Sequence, residues 1–212
     1  MNLMDNMKFT SLLSLFLMAI TTLTTFAADK PNLVLIVADD CTYLDLELYG
    51  GQAKTPNLNR LAKQGMQMSR CFQAAPMCSP TRHNLYTGIY PVKSGAWPNH
   101  TEVYPGTKSI AHYLRAAGYR VALSGKTHIG PRVSFPFEYS QEFKQADPAK
   151  ASPYPVIEKL LVDSKKSDTP FCLIACSNEP HEPYDKGDAS VYGPASLKLP
   201  PSFVDTPVTR NK

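Results

Sequence analysis

The stretch Asn32-Leu33-Val34-Leu35-Ile36-Val37-Ala38 decides the fold. It is a continuous apolar run rich in β-branched residues, which is typical of a parallel strand covered on both faces. Two further runs, Tyr119–Leu123 and Phe171–Cys176, predict strands later in the chain. Because helix signals lie between these runs, the sequence predicts an α/β domain with a mostly parallel sheet and helices on both faces.

Four segments carry the helix signals. In the first, Thr55 is a preferred N-cap residue, Pro56 suits the first turn, and Gly65 marks the end. The other three predicted helices are Ser79–Thr87, Ser109–Ala117 and Tyr154–Val162, and a weaker strand is predicted at Met66–Phe72.

The composition is that of a folded protein without a nucleic-acid partner. The 212 residues suit one domain or a large part of one, and 43% of them are hydrophobic, which excludes wholesale disorder. The net charge is only +4 and the longest basic run is Lys165-Lys166, so no nucleic-acid-binding patch is expected. Most of the 19 prolines follow residue 130, so the second half should be rich in ordered loops.

Residues 1–27 are predicted to be a signal peptide. Ser11–Phe26 is an apolar stretch too short and too hydroxylated for a membrane span, with Lys8 before it and a cleavage sequence ending at Ala27. A buried N-terminal helix is the alternative interpretation. We expect the mature chain to be exported, to the periplasm, the extracellular space or an animal lysosome, without a membrane anchor. In a eukaryotic secretory host, Asn99-His100-Thr101 would be a glycosylation sequon.

The five cysteines do not suggest a disulfide framework, because an odd number leaves at least one of them unpaired. Cys172 and Cys176 share one face of a predicted strand but lie about four rises of 3.3 Å apart, too far to bridge. Small apolar thiols of this kind are predicted to pack in the core.

Polar side chains follow each of the three predicted strands. Asp39 and Asp40 come after the first strand, Lys126 and His128 after the second, and His181 after the third. In open α/β sheets ligands bind outside the carboxyl ends of the strands, so these groups are expected to meet in one site. Adjacent carboxylates suit a hard divalent cation such as Ca²⁺ or Mg²⁺. An ammonium and an imidazole two residues apart on an extended backbone share one side, and they suit an anion that exchanges a proton.

The segment Cys78-Ser79-Pro80-Thr81-Arg82 adds a candidate nucleophile. Pro80 fits the first turn of a helix, which places Cys78 at or just before the helix N-terminus, where free N–H groups favour anions. Arg82 follows one turn later on the same face. The spacing by itself is compatible with a reactive thiolate and equally with a buried thiol beside a surface arginine.

Together these motifs resemble those of the type I sulfatases within the alkaline-phosphatase-like superfamily. Cys78-Ser79-Pro80-Thr81-Arg82, followed by Leu85-Tyr86-Thr87-Gly88, is similar to the signature of that family, in which the cysteine is oxidised to formylglycine after synthesis. Four more segments match in order: Pro31–Asp40, Thr55–Leu58, Gly125–Gly130 and Pro180–Pro183. The resemblance covers about residues 30–205. In addition, Gly130–Tyr139 and Leu199–Pro207 look like the matching parts of heparan N-sulfatase (sulfamidase) relatives.

The resemblance implies a nucleophile and a metal centre. In the family the aldehyde is hydrated, one hydroxyl attacks sulfur, and the other later loses a proton so that sulfate is expelled. Asp39, Asp40 and the modified Cys78 would bind Ca²⁺ or Mg²⁺, which polarises the sulfate. The chain would then depend on a formylglycine-generating maturation enzyme as a partner.

The remaining roles come from the same resemblance. Arg82 would bind the diol oxygens, and Lys126 and His128 would hold the diol, with His128 as the base that collapses the sulfated intermediate. His181 would contact the sulfate and assist the leaving group.

The resemblance predicts a sulfuric ester or N-sulfate hydrolase that acts on sulfated glycans. A formylglycine-dependent phosphonate or phosphate-ester hydrolase is one alternative, because both substrates are tetrahedral anions. An inactive, truncated relative that binds glycans is the other. The family supplies two further metal ligands and a second lysine from a later strand, and nothing between Tyr184 and Lys212 resembles that element. We therefore expect 28–212 to be the N-terminal portion of a catalytic domain, C-terminally incomplete and inactive alone.

Overall fold

Four parallel strands form the sheet in a computed structural model that describes residues 30–139, 154–184, 187–188 and 190–210. The strand order is β1-β4-β2-β3. The strands are β1 (Leu33–Val37), β2 (Arg120–Gly125), β3 (Glu138–Tyr139) and β4 (Phe171–Cys176). The predicted signal peptide, 1–27, lies outside the described residues. Within them, no helix has the length and apolar character needed to cross a bilayer.

In the part of the chain that the structure describes, six α-helices accompany the sheet: α1 (Pro56–Gln64), α2 (Cys78–Thr87), α3 (Pro91–Ser94), α4 (Ile110–Ala116), α5 (Tyr154–Ser167) and α6 (Pro207–Arg210). Pro56 opens α1 after Thr55, as the sequence predicts. Helix α2 ends at Gly88, whose φ of 70° is left-handed and whose N–H donates to the Asn84 carbonyl at 2.8 Å. Short 3-10 turns at Glu47–Tyr49, Arg132–Ser134 and Pro194–Ser196 complete the connections.

Helices cover both faces of the sheet, as predicted. On one face, Val121, Leu123, Cys172, Ile174 and Cys176 pack against Tyr86 of α2 and Ala111 of α4. On the other face, Ala122, Phe171 and Leu173 pack against Leu160 of α5. Successive residues of β2 and β4 thus alternate between two apolar layers, which is the pleat of a strand buried on both sides.

Cys172 and Cys176 lie in the core, as predicted, with exposures of 4% and 7%. All five cysteines are free, and each lies in the described part of the chain. Burial raises the pKa of the Cys172 thiol, so this side chain behaves as a small apolar residue.

Two predictions about strands are wrong. Met66–Phe72 forms no strand, because it is tied to the loop before α1 instead of to a sheet edge: Tyr49 donates to the Met68 carbonyl at 2.8 Å and Gln67 to the Leu48 carbonyl at 3.1 Å. Strand β1 is not covered on both faces. It lies at the edge of the sheet, and its side chains from Leu33 to Ile36 are 38–67% exposed. Strand β3, with two residues, is too short to give a periodic signal.

Candidate active site

The carboxyl ends of three strands lie side by side. Strand β4 sits between β1 and β2, and its last residue, Cys176, pairs with Val37 on one side and Gly125 on the other. The loops after these strands therefore start at the same level. Backbone hydrogen bonds join them, from Ser177 N–H to the Val37 carbonyl at 2.8 Å and from Lys126 N–H to the Cys176 carbonyl at 3.3 Å.

Gly125 makes the turn from β2 into the site. Its φ is 86°, and a Cβ atom at this position would lie 1.8 Å from the carbonyl oxygen of Cys176. No residue with a side chain fits there without moving β4, so glycine is required for Lys126 to leave the sheet where it does.

Asp39 is a buried carboxylate held by two cations. Its residue exposure is 4%. Arg82 donates through Nη2 to Oδ1 at 3.1 Å, and Lys126 binds Oδ2. Burial by itself raises the pKa of Asp39, but the hydrogen bonds from Lys126 and Arg82 outweigh it, so the net pKa lies below the usual range. The group is a carboxylate at neutral pH and is available as an oxygen ligand.

Cys78 is the first residue of α2, and its half-buried thiol faces the same group of charges. Its Sγ lies 3.8 Å from Nζ of Lys126 and 3.9 Å from Oδ1 of Asp40. Helix α2 thus places Cys78 and Arg82, one turn apart, against the ends of β1 and β2.

His181 joins the site from the loop after β4. Its Nε2 lies 3.6 Å from Oδ2 of Asp40. Its Nδ1 lies 2.8 Å from the Glu182 carbonyl oxygen, which only accepts, so Nδ1 carries a hydrogen. With the hydrogen on Nδ1, Nε2 faces Asp40 and is the ring nitrogen that would bind a metal ion held between them.

The donor set fits a divalent cation. One ligand atom each from Asp39, Cys78 and His181 lie within 4.8 Å of one another, and Asp40 adds a second carboxylate that contacts both Cys78 and His181. Two adjacent carboxylates suit Ca²⁺ or Mg²⁺ better than a soft metal. The cavity beside them has a volume of about 310 Å³, and its lining includes Asp39, Asp40, Cys78, Arg82, Met77 and Leu85.

His128 is placed differently from the other predicted site residues. The backbone at His128 is left-handed, with φ of 47°, and not extended as the sequence interpretation assumed. Lys126 contacts Asp39 and Cys78, whereas Nε2 of His128 lies 2.8 Å from Nδ1 of His100. Burial, followed by the charges of His100, Lys126 and Arg82, lowers the pKa of His128.

The sequence interpretation missed three residues beside the site: His83, Asn99 and His100. His83 is fully buried in α2, with Nδ1 3.3 Å from Oγ of Ser79 and Nε2 3.0 Å from the backbone N of Gly130. It thereby connects helix α2 to the loop that follows β2. Ser79 and His83 are four apart on a helix, a spacing that could have indicated their contact. His100 has no such signal, because it meets His128 only through the fold.

The parallel α/β architecture is shared by solved structures. A solved structure of a protein in complex with its substrate, D-glucosamine-2-N,6-O-disulfate, matches with a TM-score of 0.60 at 23% identity, over 72% of this chain and 35% of that chain. The Sulfatase family model matches residues 31–196. The chain therefore belongs to the sulfatase family.

Curated relatives carry the same family name. An ulvan-active sulfatase of Formosa agariphila is 35% identical over 160 residues, which are 74% of this chain and 32% of that protein. N-acetylgalactosamine-6-sulfatase of Rattus norvegicus is 35% identical over 123 residues, 51% of this chain and 24% of that protein. The matches thus span about a third or less of the length of these relatives.

Proposed function

We propose that this chain supplies the nucleophile and part of the metal centre of a sulfuric ester hydrolase. The observation that carries the proposal is the position of Cys78. Its Sγ lies within 4 Å of an ammonium, Lys126, and of a carboxylate, Asp40, at the N-terminus of a helix. A nucleophile there would meet a tetrahedral anion beside the Lys126 ammonium and the helix N-terminus, which favour negative charge, while Asp40 would bind the cation.

Cys78 would act as formylglycine, installed by a maturation enzyme. This part of the proposal rests on the intact segment from Cys78 to Arg82 in a member of the sulfatase family. When present, formylglycine supplies a hydrated aldehyde as the nucleophile. The half-buried environment leaves Cys78 accessible to a substrate while Lys126 lies 3.8 Å from its side-chain atom. Lys126 would hold the nucleophile and offset the negative charge that develops beside it.

Asp39, Asp40 and residue 78 would hold Ca²⁺ or Mg²⁺, and His181 lies close enough to contribute. The cation supplies Lewis-acid polarisation of a sulfate oxygen when it is bound. Arg82 would keep Asp39 ionised and oriented through their buried ion pair. His181, with its Nε2 beside Asp40, would contact the sulfate or the leaving group.

The substrate class we propose is a sulfated glycan. One relative is an ulvan-active sulfatase and another is an N-acetylgalactosamine-6-sulfatase, which supports a sugar sulfate as the substrate. The segments Gly130–Tyr139 and Leu199–Pro207 favour an N-sulfated sugar among these, by their resemblance to sulfamidase relatives. We further propose that 1–27 is a signal peptide for export, and that 28–212 belongs to the N-terminal portion of the catalytic domain.

The test combines the modification with turnover. The protein is produced with and without a formylglycine-generating enzyme, and the peptide that contains Cys78 should lose about 18 Da when that enzyme is present. Sulfate release is then measured, in a protein that contains the complete catalytic domain, from an aryl sulfate and an N-sulfoglucosamine substrate, with a phosphonate monoester as the competing substrate. Turnover of sulfates that requires both the modification and a divalent cation supports the proposal. An unmodified Cys78, or a preference for the phosphonate, contradicts it.

A further inference from the structure

A chain of hydrogen bonds runs from the N-terminus of helix α2 to His128. Its two middle members are Asn99 and His100, which have no role in the proposed reaction. Asn99 Oδ1 lies 3.2 Å from the backbone N of Ser79, Asn99 Nδ2 lies 3.3 Å from His100 Nε2, and His100 Nδ1 lies 2.8 Å from His128 Nε2. The first link starts from a backbone N–H, which only donates, so the donor and acceptor of each later link can be derived in turn.

The first link fixes the amide of Asn99. A backbone N–H only donates, so the Asn99 atom that faces Ser79 must be the carbonyl oxygen. The amide nitrogen then faces His100, and because it only donates, Nε2 of His100 must accept.

The second link fixes the tautomer of His100. A neutral imidazole carries one hydrogen, and Nε2 is occupied as an acceptor, so the hydrogen resides on Nδ1. Nδ1 therefore donates to Nε2 of His128, with the two ring centroids 4.6 Å apart. His128 accepts at Nε2, and its own hydrogen must reside on Nδ1.

The Nδ1 atom of His128 is buried and has no hydrogen-bond partner among the residues that the structure describes. An unpaired buried N–H is unfavourable and rare in native proteins, so such a donor calls for an acceptor that arrives with a ligand. The lowered pKa of His128, caused by burial and then by its cationic neighbours, agrees with a neutral ring at neutral pH.

We infer that Asn99 and His100 are positioning residues that set His128 as the Nδ1–H tautomer. His128 would then offer Nδ1–H to the anionic substrate as a neutral hydrogen-bond donor, a role that differs from the base that the resemblance implies. The inference deepens the proposed function and rests on it for the identity of the acceptor, an oxygen of the sulfate or of the nucleophile. The tautomer itself follows from the contacts alone.

Further contacts of the neighbouring residues hold this chain of hydrogen bonds in place. Oγ of Ser79 lies 3.4 Å from the Thr101 carbonyl oxygen, and the Val103 N–H donates to the Gly130 carbonyl at 2.9 Å. The segment that carries Asn99 and His100 is thus attached both to helix α2 and to the loop that carries His128. The Asn99 amide is already engaged within this network, which gives the sequon residue a structural role.

The decisive experiment is nitrogen NMR of the full chain labelled with ¹⁵N-histidine, at about pH 8, above the ordinary histidine range. Nδ1 of His128 is expected to show a protonated, pyrrole-type signal and Nε2 an unprotonated, pyridine-type signal. The reverse assignment would overturn the inference. The result does not depend on turnover, so a correct tautomer without sulfate release would contradict only the proposed function.

Substitutions of His100 test whether its hydrogen bond sets the tautomer of His128. His100→Leu removes the donor and should leave His128 as a mixture of tautomers, whereas His100→Gln places an amide donor there and should restore the Nδ1–H form. His112→Gln, at the start of helix α4, is the matched control and should leave the His128 signals unchanged. In the active enzyme, His100→Leu should lower kcat roughly tenfold or more with little change in KM, because a transition-state donor is lost. An unchanged His128 tautomer in His100→Leu would refute the assignment.

Discussion

Arg82 donates to Asp39 at 3.1 Å, and the two side chains are 3% and 5% exposed. The same guanidinium donates through Nη1 to the Lys126 carbonyl at 3.1 Å. One side chain of helix α2 therefore binds the loops after β1 and β2 together. Because the ion pair is shielded from water, breaking it leaves the buried Asp39 carboxylate paired with Lys126 alone, which is more costly than breaking a surface pair.

Arg82→Met should lower the free energy of unfolding by about 1.5–3 kcal/mol, the range for a buried hydrogen bond to a charged group, because Lys126 still pairs with Asp39. Urea denaturation of the metal-free protein measures the change. Arg120→Met is the matched control: its partner Glu138 is 46% exposed, so the expected loss is about 1 kcal/mol or less. Equal losses of unfolding free energy in the two variants would show that burial does not increase the contribution of the Arg82–Asp39 pair to stability.

Gly125→Ala should prevent the turn into Lys126. The added Cβ would lie 1.8 Å from the Cys176 carbonyl, on a backbone with φ of 86°. Strain and clash together should cost about 3 kcal/mol or more, measured as a lower urea midpoint or loss of soluble protein. Gly193 has an extended backbone and open space around its Cα, so Gly193→Ala should be close to neutral. A stable Gly125→Ala protein with normal strand pairing would contradict this account of the turn.

Asp40→Asn should weaken the binding of Ca²⁺ by about tenfold or more, because it removes one of two adjacent negative oxygen ligands. Isothermal titration calorimetry with Ca²⁺ and with Mg²⁺ checks the change. Asp163→Asn, on helix α5 beside Lys159, alters the same type of side chain away from the site and should leave the affinity unchanged. Equal affinities of the wild-type and Asp40→Asn proteins would remove Asp40 from the metal centre.

Because His83 is buried, the free energy of unfolding should decrease as the pH falls through the range in which this histidine is protonated. Burial lowers the pKa of His83 from its ordinary value of 6.5, so the unfolded chain takes up this proton first as the pH falls. The stability tied to His83 is complete above pH 6.5 and is lost as the pH falls from 6.5 toward the folded-state pKa. The slope from one such group is at most about 1.4 kcal/mol per pH unit.

His83→Gln should remove this part of the pH dependence, which is checked by urea denaturation at a series of pH values from neutral to acidic. If His83→Gln keeps the full slope between pH 6.5 and 5, the buried imidazole is not the group responsible.

Local patterns account for most of the elements. The apolar run over Phe171–Cys176 is observed as β4 with the same bounds, and the helix predicted at Ser79–Thr87 is observed one residue longer. These signals are local, because periodicity, proline at the first turn and glycine at the end act within a few residues. Met66–Phe72 has weaker local signals for a strand and forms none, because a strand also needs a partner edge.

Local sequence is enough to predict strands β1, β2 and β4, helix α2 and the residue types at the strand ends. It does not predict that β4 lies between β1 and β2, the strand order that brings Asp39, Lys126 and His181 to one edge. Nor does it predict the contact of His128 with His100, 28 residues away in the chain. The physical reason is that secondary structure depends on neighbours along the chain, whereas strand order, side-chain pairing and burial depend on contacts between distant segments.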